Sequence, residues 1–341
     1  MVQECFEMPE IRQNMATKQW VIISTERARR PEEFIDLSHR PVHESLPAYD
    51  PDCPFCPGNE EGPDMEVLRL PQGADDWQVR VVKNKYPALT QDGERVRQFD
   101  GVNRSISGVG YHEVVVESRL HNTTPALLEV EQLNIVLMAF QTRGVVMSLD
   151  DRIEHVIYFK NHGPRAGTSL LHPHSQIIGL PVVPYNVRGR DEEARRFFDD
   201  TGACVYCAML ADELKERSRL ISENDDFVAF QPYAALSPFH TWIMPREHHP
   251  SFLMVSPVSI RRLAEICRDI LRRFHFGLND PDYNIVLRSA PVKAWYADHL
   301  HWYVSVIPRV TQTAGFELGS GMYINTALPE HSAAFLRSIQ V

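Results

Sequence analysis

The sequence predicts an α+β fold in two similar halves, each an antiparallel sheet with helices packed on one face. Three observations predict it. A C-x-x-C pair occurs twice, as Cys53-Pro-Phe-Cys56 and Cys204-Val-Tyr-Cys207. Each pair is followed, in the same order, by a lone histidine and then by an H-x-H segment. The intervals from His121 to His172 and from His248 to His299 are both 51 residues. Order repeated at a fixed interval is the mark of a duplicated unit. The halves divide as residues 1–190 and 191–341, and their sheets are expected to join across an internal pseudo-twofold axis.

The elements follow in chain order. After the first cysteine pair, "YHEVVVES" (111–118) has the β-branched run of a buried strand, and His121 closes it. Apolar residues at helical spacing fill "LLEVEQLNIVLMAFQTRGVVMSL" (127–149). Strand "EHVIYFKN" (154–161) then leads to "GTSLLHPHSQIIGLPVVP" (167–184). After the second pair come "FVAFQPYAALSPFHTWIMP" (227–245) and His248. A helix pattern in "SIRRLAEICRDILRRFHF" (259–276), strand "YNIVLRSAP" (283–291) and "HLHWYVSVIP" (299–308) complete the second unit.

Composition narrows the class. A chain of 341 residues with 43% hydrophobic and 23% charged residues can bury a sizeable core. A net charge of −10 argues against a nucleic-acid partner, since phosphate backbones demand a basic face. The stretch "RARR" (27–30) is a local exception. No segment approaches the length needed to span a bilayer, and the N-terminal residues do not read as a signal peptide, so no membrane partner and a cytoplasmic location are expected.

In a reducing compartment, paired C-x-x-C elements are metal ligands more often than disulfides. Each half offers two thiolates, one histidine at a strand end and one from the H-x-H segment. The first set is Cys53, Cys56, His121 and His172; the second is Cys204, Cys207, His248 and His301, with His112, His249 and His299 the nearest alternatives. Zinc is the expected cofactor at both, and iron is an alternative at the second.

On a strand, His172, His174 and Gln176 share one face while Pro173 and Ser175 take the other. A solvated polar face would explain an isolated H-x-H. Its place within a complete cysteine and histidine set argues for chemistry instead.

These residues carry a resemblance. "ISTERARRP" (23–31), "CPFCPGNEE" (53–61), "VVKNKYPAL" (81–89), "YFKNHGPRAGTSLLHPHSQ" (158–176), "CVYC" and "GFELGSGMYIN" (315–325) are similar to the galactose-1-phosphate uridylyltransferase family, the transferase branch of the histidine-triad superfamily. The resemblance covers nearly the whole chain and implies a duplicated histidine-triad-like fold. Ser175 stands where the uridylyltransferases have glycine, and with "LPVVP" (180–184) it resembles plant-type ADP-glucose phosphorylases and their bacterial relatives.

The resemblance implies that His174 is the nucleophile, forming a nucleotidyl-histidine intermediate. His172 would be committed to metal. Gln176 can donate to a phosphate oxygen but cannot titrate near neutral pH, which favours transfer over hydrolysis. Asn84, Asn161, Gly167, Thr168 and Ser169 match nucleotide and phosphate contacts. Arg27 and Arg30 match sugar-phosphate contacts, and Phe316, Glu317, Gly321 and Asn325 match a hexose-binding segment. The implied partners are a nucleotide sugar, UDP-glucose or ADP-glucose, with a hexose 1-phosphate or phosphate, and the implied assembly is a homodimer. The leading function is hexose-1-phosphate uridylyl transfer. ADP-glucose phosphorolysis is the alternative on the same scaffold, and a non-catalytic zinc-stabilised nucleotide-binding module is the alternative of another class.

Overall fold

The computed structural model describes residues 9–24, 29–36, 41–73 and 75–341. Its centre is one ten-stranded sheet to which the two halves contribute five strands each. The first half supplies β3 (Glu66–Leu70), β4 (Val79–Lys83), β7 (Tyr111–Val116), β8 (His155–His162) and β9 (His174–Leu180). The second supplies β10 (Leu220–Glu223), β11 (Phe227–Phe230), β12 (Thr241–Pro245), β13 (Tyr283–Arg288) and β14 (Tyr303–Pro308). The spatial order is β10-β11-β12-β14-β13-β8-β9-β7-β4-β3. Read outward from the centre, 8-9-7-4-3 on one side repeats as 13-14-12-11-10 on the other. The pseudo-twofold axis therefore passes between β8 and β13, which pair antiparallel with Asn161 opposite Asn284.

A three-stranded sheet joins the ends of the chain: β1 (Glu10–Gln13), β2 (Trp20–Ile23) and β15 (Tyr323–Asn325), the last parallel to β2. A hairpin of β5 (Arg97–Asp100) and β6 (Asn103–Ile106) stands apart. The helices are α1 (Val42–Ser45), α2 (Val130–Ser148), α3 (Tyr185–Thr201), α4 (Val205–Glu216), α5 (Pro257–Leu278), α6 (Gly315–Ser320) and α7 (Pro329–Ser338). The expected division at residue 190 falls inside α3.

The long helices α2 and α5 pack on each other and on one face of the large sheet. Their inward residues, among them Val136, Phe140 and Met147 from α2 and Leu263, Ile270 and Phe274 from α5, meet Val115, Tyr158, Ile177, Ile243 and Val304 from the strands. Ser256 caps α5 by accepting from the Ser259 N–H at 3.1 Å, Pro257 follows at the position where its missing N–H costs nothing, and Asn279 ends the helix in the left-handed conformation. Among the described residues, no helix is long and apolar enough to cross a membrane.

The first H-x-H segment runs into its strand, since β9 begins at His174, whereas the second ends at His301, ahead of β14, which begins at Tyr303. His172 therefore lies ahead of the strand, while His174 and Gln176 stand two apart within it. Pro173 lacks an N–H for the ladder and keeps only its carbonyl, which accepts from Glu117 N–H at 3.1 Å.

Candidate active site

The helices cover one face of β9 with Ser175, Ile177 and Gly179, which leaves His174 and Gln176 on the other. There they line a cleft of about 500 Å³ with Phe55, Asn84, Tyr86 and Ser169. Phe55 comes from the turn between the first cysteines, and its ring lies 5.5 Å from that of His174. The turn that gathers two thiols thus also builds an apolar wall on the imidazole.

His174 is 7% exposed, and its Nδ1 lies 2.9 Å from the His172 carbonyl oxygen. A carbonyl only accepts, so Nδ1 carries the proton and Nε2 keeps its lone pair. Burial, and next the Lys160 ammonium, hold the imidazole pKa below its ordinary value. The group is neutral at neutral pH and presents a nucleophilic nitrogen in a poorly hydrated site.

Gln176 is oriented by His112. The Ala88 N–H donates to His112 Nδ1 at 3.0 Å, so His112 Nε2 carries the proton and donates to Gln176 Oε1 at 2.7 Å. The amide oxygen is held there, which turns the two N–H donors of Gln176 toward a ligand. His112 was weighed in the sequence only as a rival metal donor.

Behind the strand lies a buried charged group. Lys160 Nζ donates to Glu117 Oε2 at 2.7 Å and to the His174 carbonyl at 2.9 Å, and Ser175 Oγ donates to Glu117 Oε1. Lys160, Glu117 and Ser175 are at most 5% exposed. Ser175 therefore faces the protein interior, where a glycine would leave Glu117 one donor short. Its hydroxyl braces β9 from the side away from the cleft.

The two cysteine and histidine sets both assemble. Cys56 Sγ lies 3.6 Å from Nδ1 of His121 and of His172, and those two nitrogens are 3.3 Å apart. With Cys53, the four donor atoms lie within 4.8 Å of one another and all four residues are buried. His172 Nε2–H donates to the Ser118 carbonyl at 2.8 Å, which orients the ring. In the second set Cys207 Sγ is 3.2 Å from His248 Nδ1 and 3.3 Å from His301 Nδ1, with Cys204 completing the group. His299 instead directs Nε2 to Asp191. Both groups could hold a metal ion.

The remaining expected residues divide. Asn84 is in the cleft, its Oδ1 accepting from the Tyr86 N–H at 2.8 Å. Asn161 and Thr168 line a smaller cavity that shares His174 and Leu170 with the main cleft, and Asn161 Oδ1 accepts from Asn284 at 2.8 Å. Gly167 has φ 91°, the left-handed region that a side chain resists. Arg30 is exposed just before a short helical turn, and Arg27 lies outside the described residues. Phe316, Glu317 and Gly321 belong to α6 or its end and line no part of this chain's cleft. Asn325 is fully buried; it donates to the Ala235 carbonyl and accepts from the Ala327 N–H. Both ends of its amide thus hold the end of β15.

The sequence also left unread a group beside the smaller cavity. Asp280, 3% exposed, is approached by His43 at 3.6 Å, His162 at 3.3 Å and His275 at 3.1 Å. Burial would raise its pKa, but the hydrogen bonds from His162, His275 and His43 outweigh it and hold the carboxyl well below the usual range.

Comparison with known proteins agrees with this geometry. The family model of the galactose-1-phosphate uridyl transferase N-terminal domain matches residues 3–184, and that of the C-terminal domain matches residues 157–340. ADP-glucose phosphorylase of Arabidopsis thaliana is 33% identical, over 98% of this chain and 94% of that protein. Galactose-1-phosphate uridylyltransferase of Thermotoga maritima is 26% identical over 98% and 99%. The crystal structure of the Arabidopsis phosphorylase with bound ADP-glucose superposes with a TM-score of 0.81 at 30% identity, covering 98% of this chain and all of that one.

Proposed function

Because this chain belongs to the galactose-1-phosphate uridylyltransferase family and is a nucleotidyltransferase-type enzyme, we propose that it moves a nucleoside monophosphate in two steps through His174. In the first step Nε2 attacks the α-phosphorus of a nucleotide sugar. A nitrogen–phosphorus bond forms, the bond to the bridging oxygen breaks, and hexose 1-phosphate leaves. In the second an acceptor phosphate oxygen attacks the same phosphorus and releases the imidazole. The observation that carries this reading is the anchored Nδ1, which places the lone pair of a neutral, buried imidazole on the cleft side. Gln176 donates to a non-bridging oxygen of the transferred group, and the loop of Gly167, Thr168 and Ser169 holds its phosphate, with Ser169 lining the cleft beside His174.

Two thiolates and two imidazole nitrogens suit tetrahedral zinc, which would be held by Cys53, Cys56, His121 and His172 and by Cys204, Cys207, His248 and His301, the second set with iron as an alternative. Its contribution is structural: it would fix His172, and through the His172 carbonyl the aim of His174. Residues 1–190 would carry the chemistry, and residues 191–341 the second metal set and the hexose segment. In a homodimer, Phe316, Glu317 and Gly321 would reach the partner's cleft.

For substrate we place ADP-glucose with phosphate first and UDP-glucose with galactose 1-phosphate second, inverting the order expected from sequence, on the higher identity to the phosphorylase. Ser175 gives no support to either, since it faces inward. Turnover of each nucleotide sugar with each acceptor decides the order. The covalent step is tested by incubating the enzyme with nucleotide sugar labelled at the α-phosphate and no acceptor. Base-stable, acid-labile label on the peptide 167–184 is expected in the wild type, and none in His174→Ala, with the metals retained. Label in His174→Ala, or transfer near the wild-type rate, refutes the mechanism.

A further inference from the structure

The pseudo-twofold axis gives every catalytic position a counterpart in the second half. Gln176 pairs with Val114 across β7 and β9, and Ser305 pairs with Trp242 across β12 and β14. Two residues before these partners stand His112, 2.7 Å from Gln176, and His240, 2.7 Å from Ser305. The match extends to the cysteine turns: Phe55 tilts against His174 at 5.5 Å, and Tyr206 against Tyr303 at 5.7 Å. By this register Tyr303 occupies the place of His174, and Arg288, opposite Tyr303, the place of Asn161.

The second half has therefore lost the nucleophile and gained a cation. Around Arg288 lies a partly enclosed cavity of about 50 Å³, to which Arg190 of α3, Tyr206, Ser289 and His155 also contribute. One water needs about 10–15 Å³ on the same measure, so the cavity has room for a group of several heavy atoms. Among the described residues neither Arg190 nor Arg288 has a carboxylate partner. The one carboxylate on the wall, Asp191, is engaged by His299 at 2.5 Å and faces Arg195 at 3.7 Å. Burial and then the neighbouring Arg190 push the Arg288 pKa down to about 10, so Arg288 keeps its charge at neutral pH with a second guanidinium beside it. His155 is 4% exposed with Nδ1 unbonded. Two half-buried guanidinium groups without a carboxylate partner, beside the unbonded Nδ1 of His155, make a site that suits an anion.

We infer that the relic of the duplicated catalytic centre is a binding site for a tetrahedral phosphate dianion, held between Arg190 and Arg288. It binds without chemistry, since Tyr303 offers no nucleophile of imidazole type. The cavity accommodates the phosphoryl group alone, so any ester substituent must extend through its open side.

Crystals of the metal-loaded wild-type enzyme soaked in selenate, located by anomalous scattering, are expected to show a peak between the two guanidiniums. Absence of that peak overturns the inference. In solution, inorganic phosphate should raise the wild-type Tm by on the order of 2–4 °C, and Arg288→Gln and Arg190→Gln should each lose most of that rise. An equal rise in both variants overturns the inference as well. Hexose 1-phosphate as a second probe separates the sources: an Arg288-dependent rise with it adds phosphate esters to free phosphate as ligands. Labelling of His174 by nucleotide sugar, with no phosphate present, should proceed at the wild-type rate in Arg288→Gln. This keeps the outcome separate from that of the covalent mechanism.

Discussion

Lys160→Met removes an ammonium while keeping most of the side chain's length, and it strikes the group that holds the catalytic strand from behind. Glu117 would be left 2% exposed with only the Ser175 hydroxyl for its charge, and the His174 carbonyl would lose its donor. Orphaning one member of a buried ion pair costs about 3–5 kcal/mol. In a chain of this size that lowers Tm by on the order of 5–15 °C. Adding Glu117→Gln removes the orphaned charge and should restore most of the loss. Catalysis should suffer separately, because a shift of about 1 Å in a reacting group costs roughly 100-fold. The pH profile supplies a sign. A protonated imidazole has no lone pair, so labelling of His174 falls as pH drops through its pKa. Burial and Lys160 hold that pKa down; without the ammonium it rises, and the acid limb moves to higher pH. The assays are thermal denaturation of the metal-loaded enzyme and the initial rate of labelling across pH. A Tm within about 2 °C of wild type with labelling within about threefold, or a limb that moves to lower pH, would refute the reasoning.

Other outcomes follow from the same geometry. Elemental analysis should find close to two metal ions per chain, matching the two complete four-donor groups. Cys53→Ser should lose one ion and part of its solubility, whereas His299→Ala should keep both, because His301 and not His299 lies beside the thiols. His112→Leu frees the Gln176 amide to rotate and should slow labelling by roughly 10–100-fold with metals and fold intact; an unchanged rate would remove His112 from the site.

The parts of the site legible in sequence are those whose signal is chemical and local. Cys53 and Cys56 stand out as candidate metal ligands because two thiols three residues apart have few other uses, and the structure gathers them with His121 and His172 as the spacing suggests, with His174 beside that set. Equal spacing was a poorer guide. The repeated 51-residue interval aligns His172 with His299, yet the structure puts His301 beside the thiols. Chain intervals count loop residues, whereas ligation depends on where each segment meets its strand. His112, Lys160 and Glu117 were illegible because their partners lie across the sheet and carry no mark of it in sequence. Asn325 is a polar residue closing a glycine-rich stretch, and its full burial could not be read from that pattern.

The continuous sheet across β8 and β13 has a consequence for how such a protein can change. In a symmetric homodimer each gene position is written into two places at once, so no substitution can alter one centre and spare its twin. Joining the two copies end to end removes that constraint. One copy can keep its reactive imidazole under strict selection while the other drifts, and the seam transmits support between them without transmitting identity. The molecule is in this sense a dimer permitted to be unequal, with His174 in one half and Tyr303 at the matching place in the other.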